Sequence, residues 1–295
     1  MVKFDDFKDY DFSSLPLTNK VNAFFKGNEV ITDFAKKVMI PVIKGQLKLN
    51  DEEKAIVGTY YRMYAWMSSM ITMNNIMHFQ GAGVAVRSLF ELLIDLKIIS
   101  DDDTGEMVEK FHAFSEVERF RVANIAVNFS DVNKKSINID VTHQKELVNK
   151  PGKKQYIEQL VIKYWGLNKR KKPNYPKHWT GLDVRSRAHK LGPYYEETYI
   201  KLYPIFSWNI HSGSVFYAGL DSKAFEAFFG LCHSTAQYLF LEGTFICAKI
   251  MKISKKDIDS LNSVVTIDIE AEDYPNKVEQ ELNNYIRNAN IPGFR

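Results

Sequence analysis

The chain has 295 residues, of which 45% are hydrophobic and 25% charged. That is a globular balance, which excludes wholesale disorder and leaves room for one large domain or two small ones. The net charge of +3 is too small to dictate a nucleic-acid partner on its own, and no run of about 18 apolar residues is present to make a membrane helix.

The elements read in order as follows. Residues 1–17 form an irregular arm that ends around Pro16 and lacks the basic start and apolar run of a secretory signal. A helix is expected from about Glu29 to Gly45, bent or ended early by Pro41. Asn50 followed by Asp51, Glu52 and Glu53 is a helix start, a capping residue and then acids in the first turn. The period of Ile56, Tyr60, Met63, Met67 and Met70 carries that helix to about His78. Gln80-Gly81-Ala82-Gly83 opens the next helix, and Ser100–Gly105 is a turn. A helix over about Glu106–Val127 follows. Residues 129–141 are loop-like, with Ile137, Ile139 and Val141 alternating as in a short strand. Helices lie on either side of Pro151-Gly152, the second ending near Trp165-Gly166. After a loop over 168–181 come a short helix at Asp183–His189 and a longer one at Tyr194–His211, interrupted at Pro204. A long apolar helix spans Ala224–Met251. Val265, Ile267 and Ile269 are strand-like, and a last helix covers about Asn276–Arg287.

The expected fold is mainly α: an up-and-down helical bundle with a basic loop insertion and a short C-terminal extension. Its divisions are an arm at 1–17, a single helical domain at 18–252 and an extension at 253–295. Cys232 and Cys247 sit in an apolar helical pattern, as buried thiols in a reducing cytosol do. A soluble, cytoplasmic protein without a membrane partner is the expectation.

Two constellations carry chemistry. Arg87, Glu91 and Asp95 lie at i, i+4 and i+8 on an otherwise apolar helix and so form one stripe. Charges on such a helix must be paired, so the stripe is either an internal network or a site. Tyr203, Ser207 and His211 repeat the four-residue spacing on a second helix. A polar seam between the two helices follows, with these residues in hydrogen-bonding reach. His211 is its candidate acid/base, Arg87 its charge stabiliser, and Glu91 and Ser207 complete it.

The second constellation is electrostatic. Nine basic residues and a single acid, Asp183, lie between Lys163 and Lys190. Arg170, Lys171, Lys172, Arg185 and Arg187 are its candidate phosphate contacts, with Tyr175 and Trp179 as stacking surfaces. The alternative is a solvated loop, or one that meets the acidic tail Asp268–Glu281. Glu109 and His112 have the Glu-x-x-His spacing of di-iron bundles, but a single copy lacks the remaining ligands, so no metal and no cofactor is expected.

Arg87-Ser88-Leu89-Phe90-Glu91, then His178-Trp179-Thr180-Gly181, then Tyr203 to His211, in that order, resemble a bacterial family of all-helical proteins of unknown function. The resemblance covers roughly residues 55–250. It implies a bundle in which the arginine–glutamate helix faces the serine–histidine helix, and it implies no activity. A broader likeness is to HEPN-type ribonucleases, helical bundles whose arginine and histidine are separated by four to six residues. Arg185 and His189 have three residues between them, so that analogy stays at the level of the fold.

Two functions follow. In one, the chain engages nucleic acid, RNA above all, as a nuclease-like effector of a stress or antiviral defence system. In the other it is a non-catalytic scaffold whose polar centre is structural and whose partner is a protein or another copy of itself.

Overall fold

The computed structural model describes residues 19–46, 48–75, 78–132, 140–208 and 222–253. The strand-like segments Ile137–Ile139 and Val265–Ile269, the arm, the final helix and the acidic tail fall outside the described residues, as does His211. The described residues form eleven α-helices: α1 (Asn19–Phe34), α2 (Ile40–Gly45), α3 (Asp51–Met70), α4 (Phe79–Ser100), α5 (Glu106–Val132), α6 (Thr142–Asn149), α7 (Lys153–Trp165), α8 (Val184–Leu191), α9 (Pro193–Lys201), α10 (Tyr203–Trp208) and α11 (Ser222–Ile250). The fold is mainly α. None of the described helices is long and apolar enough to cross a membrane.

The chain divides into two compact units, one of Met1–Asp101 with Ala188–Arg295, the other of Asp102–Arg187. A single helical domain over 18–252 was the expectation. Charged residues are denser over 102–187 than on either side, a shift in composition that coincides with the division.

In the first unit α4 packs against α3 and α11, α1 lies on α11 and α3, and α10 on α4. Ile56, Tyr60, Met63 and Met67 of α3, Leu89, Leu93 and Leu96 of α4, and Phe229, Ala236 and Phe240 of α11 are buried. Such large side chains contribute about 1.5–3 kcal/mol each when fully buried. Tyr60 stacks on Phe240 at 5.6 Å, and its hydroxyl shares a hydrogen bond with Thr244 at 3.2 Å. Cys232 and Cys247 are buried and unbridged.

The cap on α3 forms as its sequence dictates. Asn50 Oδ1 accepts from the Glu53 N–H at 2.9 Å, while Glu53 Oε2 accepts from the Asn50 N–H at 2.8 Å. The helix stops at Met70 instead of His78. Its Ile71 N–H still reaches the Met67 carbonyl, and the next amides close tighter turns onto Ser69 and Met70. The first helix begins at Asn19, ten residues before Glu29, because Val21, Phe24 and Phe25 already belong to the core. It passes through one π-helical turn, Ala35–Met39, in which the Ile40 N–H bonds the Ala35 carbonyl. Pro41, which has no N–H and clashes with a regular preceding turn, follows directly in the first turn of α2. Helices α9 and α10 part at Leu202, leaving Pro204 in the first turn of α10, where proline is tolerated.

In the second unit α5 packs against α6 and α7 around Val117, Phe120, Ile157 and Val161, with Leu160 and Trp165 at the margin. Arg119 and Arg121 pair with Glu116 and Glu118 on the exposed side of α5.

Candidate functional site

Two places on the molecule gather the chemistry anticipated from the sequence, one in each unit.

In the first unit, helix α4 brings Arg87 and Glu91 to one face, and α10 sets Tyr203 against them. The Arg87 Nε–H is shared between Glu91 Oε1 at 3.1 Å and the Tyr203 hydroxyl at 2.8 Å, and that hydroxyl donates to Glu91 Oε1 at 2.7 Å. The three groups close a small ring of hydrogen bonds. The guanidinium also lies over the Tyr203 ring, 5.1 Å from its centroid. Tyr203 is fixed in turn by a stacked contact with Tyr199 at 5.0 Å and by Phe90. Burial pushes the Tyr203 phenol well above its ordinary range, reinforced by the Glu91 carboxylate and opposed by Arg87. The phenol is therefore neutral and able to donate. For Arg87, burial works against the charge, but the bonds to Glu91 and Tyr203 outweigh it and hold the guanidinium firmly protonated. The side chains of Arg87 and Glu91 remain 28% and 31% exposed. The centre is thus neither a dry core pair nor a free surface pair.

The seam is joined by Tyr203, the residue given the least weight in the sequence. Ser207 lies one turn further along α10, and its hydroxyl donates to the Tyr203 carbonyl at 2.9 Å. That back-bond occupies its proton within its own helix, which is not the arrangement of an activated nucleophile. Asp95 sits deeper than its two stripe-mates, at 8% exposure. His211 lies outside the described residues.

In the second unit, the segment after α7 is an ordered turn. Leu167 and Pro173 form an antiparallel bridge. The Asn168 N–H bonds the Lys172 carbonyl at 2.8 Å, and the Asn174 N–H bonds that of Gly166 at 3.0 Å. Asn168 Oδ1 accepts from the Arg170 and Lys172 amides at 2.9 and 3.2 Å, so one side chain fastens the tip. Lys171 takes a left-handed conformation, φ 55°, which a non-glycine residue adopts only where the surrounding bonds impose it. Lys169, Arg170, Lys171 and Lys172 are all exposed, and among the described residues none of the four forms an ion pair.

The other candidates of the basic segment separate. Arg185 is exposed on α8. Arg187 is buried, 2% exposed, and cannot reach a polyanion on the surface. A charge run tells how many cations are present, not which way a helix turns them. Asp183, the one acid of the segment, caps α8 by accepting from the Ser186 N–H at 2.7 Å. That bond, with Arg185 and Arg187 nearby, holds its carboxyl below the usual range.

Tyr175 is exposed as a stacking surface needs, but Trp179 is buried. Its ring packs edge-on against Phe111 at 5.6 Å, and its carbonyl accepts from Trp165 Nε1 at 2.8 Å. Gly181, φ 77°, lies so close to Trp165 that a Cβ there would come within 3.1 Å of the ring. The His178–Gly181 motif therefore anchors the basic segment to the end of α7. Glu109 is occupied by the Tyr164 hydroxyl at 2.8 Å and by Lys163, which together lower its pKa. Among the described residues no group of three or more histidine, cysteine, aspartate or glutamate side chains is placed to hold a metal.

No curated protein and no solved structure matches the chain. Residues 251–295 match the model of the bacterial trigger factor protein. Residues 53–225, more than half of the chain, match that of a family of unknown function, DUF5677. That stretch contains the arginine–glutamate helix, the His178–Gly181 anchor and Tyr203, in the order in which the sequence presents them, and the chain belongs to the DUF5677 family.

Proposed function

We propose that the chain engages RNA, gripping its backbone with the basic turn Lys169–Lys172. The observation that carries this reading is the set of four consecutive exposed cations, none ion-paired among the described residues and held at close quarters by Asn168. Crowding like charges on a fastened turn costs self-repulsion, which a polyanion offsets by releasing its counterions. Arg185, exposed on α8, is a further candidate phosphate contact, and exposed Tyr175 offers a ring on which an unpaired base stacks, which favours single strands. In the nuclease-like form of the reading, a defence effector, His211 does the acid–base work and Arg87 steadies phosphate charge.

The test is binding of single-stranded RNA across a salt series, with Lys171→Gln/Lys172→Gln beside the native chain. The logarithm of affinity falls with that of salt, and loss of two phosphate contacts reduces the slope by about 1.4 for a single strand. Asn168→Ala weakens binding without changing charge. Affinity indifferent to salt, or equal in the double variant, removes the proposal.

A second reading is favoured by the closed ring of bonds among Arg87, Glu91 and Tyr203. In that reading the ring pins α10 to α4, and the chain is a scaffold for a protein partner or a second copy. It is favoured if Arg87→Ala prevents folding while His211→Ala leaves every cellular effect of the chain intact.

A further inference from the structure

We infer that the outer edge of Arg87 is a binding site for a single oxyanion, the phosphate or carboxylate group of a small molecule or of a chain end, with Tyr203 and Glu91 as positioning residues. The inference deepens the assignment of phosphate charge to Arg87, but it does not depend on the basic turn.

The geometry divides the guanidinium in two. Its inner donor, Nε–H, is taken by Glu91 and Tyr203. Its two terminal nitrogens make no hydrogen bond among the described residues, although the side chain is mostly shielded, 28% exposed. An arginine that served only to neutralise a glutamate would present its terminal fork to both carboxylate oxygens, the strongest arrangement open to the pair. Here a single oxygen, Glu91 Oε1, receives both the Nε–H and the phenol, and it meets the guanidinium at its inner donor. The fork is left over.

The fork is also held still. The Tyr203 ring lies against the guanidinium plane at 5.1 Å and is backed by Tyr199. A planar fork whose rotamer is already fixed gives up little further entropy when two oxygens of one anion dock on it, which is where arginine differs from lysine. The neutral phenol donates to Glu91 and thereby tempers the carboxylate charge beside the incoming anion. Phosphate and carboxylate share the required chemistry, two oxygens at the spacing of the fork.

The test uses the full chain and three probes: inorganic phosphate, methyl phosphate and acetate. Each is titrated while the Arg87 side-chain Nε–H resonance is followed, with calorimetry in parallel. A millimolar response at that resonance supports the inference, phosphate and methyl phosphate alone pointing to a phosphoryl ligand and acetate to a carboxylate. Arg87→Lys, which keeps the charge and loses the fork, weakens binding by about tenfold or more. Tyr203→Phe weakens it severalfold while helicity is retained. Lys171→Gln/Lys172→Gln leaves it unchanged, so loss of RNA binding in that variant and loss of the oxyanion site are separable outcomes. If no probe moves the Arg87 resonance, or if Arg87→Lys binds as the native chain does, the inference is wrong. The resonance is read in the native protein, so the conclusion stands even if a variant fails to fold.

Discussion

Acid weakens this protein through one buried imidazole, His233. It sits on α11 with no exposed surface, between the rings of Phe25 and Phe229 at 5.6 and 4.5 Å. Asn28 of α1 donates to its Nδ1 at 3.0 Å and to its backbone carbonyl at 3.0 Å. That bond leaves Nδ1 without a proton. Protonating it would place two N–H donors face to face in an apolar setting. Burial accordingly pulls the imidazole down from 6.5 to about 4, partly opposed by the Met73 backbone. The unfolded chain takes up the proton near pH 6.5 and the folded chain resists until about 4, so stability is full above 6.5 and is lost as pH falls through that window. At about 1.4 kcal/mol per pH unit the whole window amounts to about 3 kcal/mol, and about 2 kcal/mol is gone by pH 5. Urea unfolding from about pH 7.5 to 4.5, on the native chain and on His233→Gln, isolates this contribution from that of the carboxylates. The difference between the two should shrink as pH falls. A constant difference across the series, or a native imidazole that titrates near 6.5 by NMR, refutes the reasoning.

Trp179→Ala should cost about 3–5 kcal/mol and release the basic segment from α7, seen as earlier melting with faster amide exchange over residues 167–181. Trp179→Phe should cost less than half as much, since among the described residues its indole N–H has no acceptor to lose. Gly243→Ala should destabilise the first unit by about 1–3 kcal/mol, because the new Cβ would stand 2.6 Å from the Met63 methyl. Met63→Leu, which shortens the obstructing side chain, should recover part of that loss in the same melts.

What the sequence made legible was local. The cap at Asn50 and the shared face of Arg87 and Glu91 need only neighbours within one helical turn, and both stand as read. The end of α3 at Met70 was missed because no glycine or proline marks it, although the Asn74-Asn75 pair just beyond is a weak helix former. What was not legible depends on partners far along the chain. Tyr203 bonds residues more than a hundred positions away. Asn28, placed before the expected helix start, bonds a histidine 205 residues on. The inward turn of Arg187 and Trp179 reflects the same limit, since periodicity over a Pro-rich loop and one short helix is too brief to tell inside from outside.

The π turn at Ala35–Met39 has a consequence for how the first helix tolerates change in length. A turn holding one residue more than its α-helical equivalent advances everything after it by about 100°. The two ends of this continuous helix therefore keep different angular frames: Asn28 is phased to α11 by one, buried Ile43 and exposed Pro41 by the other. Deleting a single residue within Ala35–Met39 would close the turn as regular α-helix and leave Ile43 facing the core, whereas inserting a residue elsewhere in the helix would swing Ile43 away from it. The turn acts as a one-residue phase shifter between the buried histidine pair and the proline.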